Sequence, residues 1–133
     1  MQSDLDKVSA SYHRCRFSEG FIDSFYDRLL AKSSEVREKF RGTDFDRQKT
    51  MLRDSLIMVV RFNLDKADAI KHLESLAERH SRRELDIPAH LYELWLDALC
   101  EAVEEHDPEF NPDLGELWRE AMRPGIELLI SKY

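Results

Sequence analysis

Phe25-Tyr26-Asp27-Arg28-Leu29-Leu30-Ala31-Lys32, running on through Glu35-Val36-Arg37 to Phe40, reads as two consecutive helical patterns. With Phe21 and Ile22 just ahead of it, the first pattern sets Phe25, Tyr26, Leu29 and Leu30 on one aromatic and aliphatic face that ends near Ala31, because residues three and four apart share a helix face. Ser18 precedes that face as its expected N-cap, and a brief helix over residues 34–40 follows. Upstream lies one short helix, residues 4–14. Downstream, Arg41-Gly42-Thr43-Asp44 is a break. Thr43 or Asp44 can cap a long helix to about Phe62, whose inward stripe is Phe45, Gln48, Leu52, Leu56, Val59 and Val60.

The remaining punctuation divides the rest of the chain in the same way. Asp65 caps a helix over residues 65–81, and Pro88 suits the first turn of the next, which reaches about Glu105 with Leu91, Tyr92, Trp95, Leu99, Ala102 and Val103 inward. His106-Asp107-Pro108 ends it. Asn111-Pro112 opens the last helix, where Pro124-Gly125 is positioned to kink the chain.

Composition agrees with an all-α protein. The 133 residues suit one domain, with only four glycines and four prolines and 35% charged side chains. A net charge of −7, with lysines and arginines interleaved among acids, excludes a phosphate-binding basic patch and hence nucleic acid as a partner. Leu56 to Val60 is the longest apolar run and is far too short to span a bilayer. The amino terminus lacks the basic and apolar regions of a secretory signal, so the expected location is the cytoplasm. Cys15 and Cys100 fit neither a zinc spacing nor a disulfide framework and read as reduced core residues.

Three polar side chains interrupt the apolar faces. Tyr26 lies on the second helix, Gln48 on the long one, and His80 on the helix whose inward stripe also holds Leu73, Leu76 and Ala77. Imidazole is the commonest side-chain ligand for transition metals and a proximal ligand of haem iron. Taken singly, each has a plainer use. A histidine on an apolar face is more often a hydrogen-bonded core residue, and a tyrosine more often keeps its hydroxyl at the surface.

Taken together, in this order, they resemble a globin. The stretch from Phe25 to Phe40 is similar to the B and C helices of bacterial single-domain globins and of the globin domain of flavohaemoglobins. Gln48 followed by Leu52 is similar to their distal helix, and Leu76-Ala77-Glu78-Arg79-His80 to the end of their F helix. The resemblance implies a three-over-three helical sandwich with a shortened first helix. It also implies one noncovalent haem b (iron protoporphyrin IX), since no Cys-x-x-Cys-His is present for covalent attachment. His80 would be the proximal iron ligand, Phe40 the aromatic against the haem face, and Leu52 a distal wall, with Leu76 and Arg79 among the haem contacts. Tyr26 and Gln48 match the distal pair that hydrogen-bonds a bound gas, Tyr92 a tyrosine near the proximal histidine, and Trp118 a tryptophan of the last helix. Because Gln48 holds the distal site, none of His13, His72 and His106 is a second axial ligand, and the iron would be pentacoordinate.

Two departures from the pattern stand out. The flavohaemoglobin glutamate of the last helix falls near Tyr133, and the segment from His80 to Tyr92 is about two residues longer, which leaves His90 as the other candidate neighbour of His80. For the propionates, Arg79, Arg82, Arg83 and His90 are close enough in sequence to serve.

Dioxygen on ferrous iron gains superoxide character, so a buried donor is expected to stabilise it by about 1.5–3 kcal/mol, more than it stabilises carbon monoxide. The implied function is reversible dioxygen binding, with nitric oxide dioxygenation as an extension that needs a separate reductase. The alternatives are a haem-based gas sensor acting through a partner, and a haemless globin-like interaction module. Against the second stands the cost of three inward polar groups in a core without a ligand. No distal histidine or arginine is present for peroxidase chemistry. The helices after Pro88 and Pro112 are the surfaces on which such proteins form homodimers.

Overall fold

The computed structural model describes residues 4–61, 71, 74–75, 77–81 and 86–131, with side chains for all of these except 57–61. The six helices it defines are α1 (Asp4–Arg16), α2 (Phe21–Lys32), α3 (Ser34–Lys39), α4 (Phe45–Arg61), α5 (Ala89–His106) and α6 (Pro112–Ser131). Residues 77–80 are helical as well, and no strand occurs among the described residues.

Three helices, α3, α4 and α6, start at a side chain that accepts from a free amide of the first turn. Ser33 caps α3, its side chain accepting from the Val36 amide at 3.0 Å. Of the two candidates for α4, Asp44 takes the role: its carboxylate accepts from the Arg47 amide at 3.4 Å. Asn111 caps α6 through the Leu114 amide at 2.9 Å, with Pro112 in the first helical position, where its missing donor costs nothing. Pro88 is the N-cap of α5 and lies just outside the helix rather than within its first turn.

Ser18 does not cap α2. Gly20 occupies that position with φ 85°, a left-handed turn that a glycine adopts without steric penalty, and the Ser18 hydroxyl is 2.7 Å from Nδ1 of His106 instead. The expected serine cap is therefore absent, because its hydroxyl is engaged by a histidine at the far end of α5. α1 runs two residues beyond the expected Arg14, and α2 one beyond Ala31.

Packing follows the apolar stripes. α2 lies along α5, α1 packs on α6, and α5 and α6 contact each other, while α4 rests on α1 and α6. Phe21, Phe25, Leu96, Leu99, Met122 and Trp118 are fully buried where these helices meet. Each contributes about 1.5–3 kcal/mol by leaving water. Cys15 and Cys100 are buried free thiols. Burial pushes their ionisation up to about 12 and about 11, so both stay protonated and unreactive.

At one end of the molecule a polar cluster ties α1 to the turn between α5 and α6. The Asp107 side chain is fully buried and accepts from the Ser11 hydroxyl at 2.5 Å and from Arg14 at 2.7 and 2.9 Å. Trp118 Nε1 in turn donates to Ser11 Oγ at 2.9 Å. No helix of the described residues is long and apolar enough to cross a membrane.

Candidate functional site

α2 and α5, with α3 and α4 on one side and residues 79–80 on the other, enclose a cavity of about 340 Å3. That volume lies within the ~300–1,000 Å3 range of small-molecule pockets. Its walls bring together residues far apart in sequence: Tyr26 from α2, Phe40 at the end of α3, Gln48 and Leu52 from α4, and Arg79 and His80. α5 adds Tyr92 and Trp95, and α6 closes the inner end with Met122 and Ile126.

The site has two chemically different sides. On one, Tyr26 is only 3% exposed and its ring packs edge-on against Phe40 and Phe45, at 5.8 and 5.7 Å between centroids. Phe40 and Phe45 stack at 5.8 Å, which fixes the short α3–α4 connection over the tyrosine. The Tyr26 hydroxyl donates to the backbone carbonyl of Gln48 at 3.4 Å, a long bond that links α2 to α4. Burial raises its ionisation to about 12, the Gln48 bond opposing in part, so the group remains a proton donor throughout the physiological range.

On the other side His80 is half-buried and follows the fully buried Ala77 on the same helical turn. Its ring lies 6.4 Å from that of Tyr92, tilted by 39°. Burial pushes Tyr92 up to about 12 as well. The backbone carbonyl of His80 accepts from the Ile87 amide at 3.0 Å, and Asp86 NH donates to Ser81 O at 2.8 Å, so the loop after the histidine folds back on its base.

Several sequence expectations are resolved by this geometry. Of the two candidate neighbours for His80, Tyr92 lines the cavity, whereas His90 is exposed and pairs through Nε2 with Glu35 at 2.5 Å. His90 is therefore not a rim group of the cavity, because Glu35 on α3 draws its imidazole outward. Trp118 is a core residue held by Ser11 rather than a cavity residue. His13 lies against Phe17 and His106 against Phe21, both away from the cavity. Leu73, Leu76, Arg82, Arg83, His72 and Tyr133 lie outside the described residues, as do the side chains of Val59 and Val60.

Other cavity residues escaped the sequence reading. Met122, Gly125, Ile126 and Leu129 line it at steps of three, one and three, a helical spacing that was visible but pointed only to a core. Lys39, beside the recognised Phe40, also lines the cavity.

The donor set suits haem. The wall offers one imidazole, Phe40 and a mainly aliphatic lining for a flat apolar macrocycle, and Lys39 and Arg79 for anionic substituents. No aspartate or glutamate is among the described lining residues, although the chain has 27 acidic against 20 basic side chains. Among the described residues no group of three or more His, Cys, Asp or Glu side chains could hold a bare metal ion.

A family model described as Globin matches residues 23–126. The chain also superposes on a crystal structure from Pseudomonas aeruginosa PAO1, described as structurally highly homologous to a human hemoglobin. The TM-score is 0.93, with 41% identity over 98% of each chain. Comparison with curated proteins gave no match.

Proposed function

The chain belongs to the globin family, and from that premise we propose that it binds haem b noncovalently and uses it to bind dioxygen reversibly, with His80 as the iron's protein ligand. The observation that carries this reading is the meeting of His80 with Tyr26 and Gln48 across one cavity free of carboxylates among its described residues. When bound, the haem supplies a ferrous iron able to take a diatomic gas.

The chain's own residues supply the rest. His80 offers an imidazole nitrogen from a helical turn anchored by buried Ala77 and by the hydrogen-bonded loop behind it. Phe40 and Leu52 exclude water from the opposite wall, which raises the strength of any polar contact made there. Tyr26 keeps its proton at neutral pH because burial disfavours the phenolate, so its hydroxyl is a permanent donor. Its present acceptor, the Gln48 carbonyl at 3.4 Å, is distant enough that turning the hydroxyl toward a gas costs little. The Gln48 amide is a second donor that does not titrate. Two donors facing one gas favour slow release.

The test is absorbance of the reduced, haem-loaded protein under oxygen and under carbon monoxide, with oxygen dissociation followed by stopped flow. A spectrum that shifts with each gas and returns on its removal supports the reading. Rapid irreversible oxidation with no oxygen complex would defeat it. Sustained nitric oxide consumption with an added reductase would extend it to the dioxygenase activity.

A further inference from the structure

We propose that Trp95 is a specificity-determining residue of the cavity, its indole N–H donating to the bound gas from α5 and so favouring a partly anionic diatomic over a neutral one. The inference rests on the oxygen-binding reading above and adds to it a donor that the sequence reading treated only as core.

Placement comes first. Leu91, Tyr92 and Trp95 of α5 line the cavity, and steps of one and three put them on one helix face. Glu93 and Asp97, each two residues from Trp95 and hence on the opposite side, are bonded instead to Arg123 and Arg119 of α6. Along its inward face α5 passes from one side of the site to the other. The Tyr92 ring lies 6.4 Å from that of His80, whereas the Trp95 ring, three residues on, meets Phe25 edge-on at 5.8 Å. Phe25 is fully buried and stands edge-on to Tyr26 as well, at 4.9 Å. Trp95 therefore belongs to the Tyr26 side of the site, with its ring held by the core.

The state of the N–H comes second. The chain has two tryptophans, and Trp118 Nε1 donates to Ser11 Oγ at 2.9 Å. Trp95 Nε1 meets no acceptor among the described residues, where its ring contact is with Phe25. Every side-chain nitrogen or oxygen sealed from open space in those residues has a partner, so the unbonded N–H of half-buried Trp95 opens onto free volume, and the cavity is the volume its face lines. An indole N–H donates and never accepts. The Tyr26 hydroxyl must leave the Gln48 carbonyl to reach a guest, while the Trp95 N–H gives up no protein bond. Such a donor rewards a guest according to the negative charge on its atoms, so dioxygen gains more from it than carbon monoxide does.

The experiment uses the reduced, haem-loaded protein under oxygen and under carbon monoxide, unmodified and as Trp95→Phe, which keeps a ring against Phe25 and removes the N–H. By stopped flow, Trp95→Phe should release oxygen about fivefold faster than the unmodified protein and carbon monoxide within about twofold of it. In the unmodified protein labelled with 15N-tryptophan, the Trp95 indole proton should resonate further downfield in the oxygen complex than in the carbon monoxide complex. The Trp118 signal, fixed by Ser11, should coincide in the two complexes. Unchanged oxygen release, equal acceleration of both gases, or a Trp95 signal identical in the two complexes would each overturn the assignment, the second by showing a wall rather than a donor. Should Trp95→Phe not fold, the indole signals of the unmodified protein still decide. Failure of the unmodified protein to form an oxygen complex would overturn the oxygen-binding reading and this assignment with it, an outcome distinct from a stable complex that Trp95→Phe leaves unaltered.

Discussion

Two polar clusters sit inside this helical protein, and they are built in opposite ways. At the α1 end, Ser11, Arg14, Asp107 and Trp118 satisfy one another at 2.5–2.9 Å, and a buried carboxylate has its charge matched by a guanidinium. At the cavity, Tyr26, Gln48 and His80 surround open volume, and the one hydrogen bond from the Tyr26 hydroxyl is stretched to 3.4 Å. A polar group bonded at 2.5–2.9 Å to fixed partners holds the fold, while the long bond of the Tyr26 hydroxyl leaves that donor able to turn toward a guest. The difference lies in how tightly each cluster is bonded, and it can be seen without reference to any relative.

That contrast can be broken at either end. The largest stability effect is expected from Asp107→Asn, which leaves Arg14 without its buried carboxylate: about 3 kcal/mol lost in urea unfolding, with the haem spectrum unchanged. Tyr26→Phe should do the reverse, raising oxygen dissociation about tenfold while changing stability by less than ~1 kcal/mol. Near-equal stability losses in the two variants would erase the distinction. Ser33→Ala, which removes the α3 cap, should cost about 1 kcal/mol, read as a lower melting temperature. Smallest of all, Arg28→Ala removes exposed pairs to Glu101 and Glu105 between α2 and α5 and should cost at most ~0.5 kcal/mol, less in high salt.

Acid sharpens the same comparison. Burial alone would raise the Asp107 carboxyl, but its bonds to Arg14, Ser11 and the Glu109 amide outweigh that and hold it below the ordinary value of 3.8. A group whose folded value is depressed stabilises fully above its unfolded value and loses that contribution as pH falls through the folded one. Unfolding measured below pH ~4 should therefore be shallower in Asp107→Asn than in the unmodified protein, whereas Tyr26→Phe should track the unmodified protein there.

Much of the arrangement was legible before the fold was seen, because it rests on local rules. The all-α globin fold followed from helical periodicity, from few breakers and from the resemblance of Phe25 to Phe40, and the family match bears it out. Tyr26, Gln48, Leu52, Phe40, Arg79, His80 and Tyr92 all reach the cavity. What was not legible depended on partners distant in sequence. Ser18 looked like a cap because nothing local shows that His106, 88 residues on, claims its hydroxyl. His90 looked like a rim group because Glu35, 55 residues earlier, is unseen in its own segment. The Asp107 cluster was hidden for the same reason, since Ser11 and Trp118 are 107 residues apart and each reads as an ordinary helix residue. The absence of carboxylates from the described cavity wall is a property of assembled surfaces and leaves no mark on any one stretch of sequence.

The most direct test of His80 as the iron's ligand is titration of the haem-free protein with haemin, monitored in the Soret band, beside His80→Ala. The unmodified protein should saturate at one haem per chain, while His80→Ala should bind at least a hundredfold more weakly, or with an altered spectrum that added imidazole restores. Equal affinity and identical spectra in the two proteins would contradict the assignment and move the ligand elsewhere.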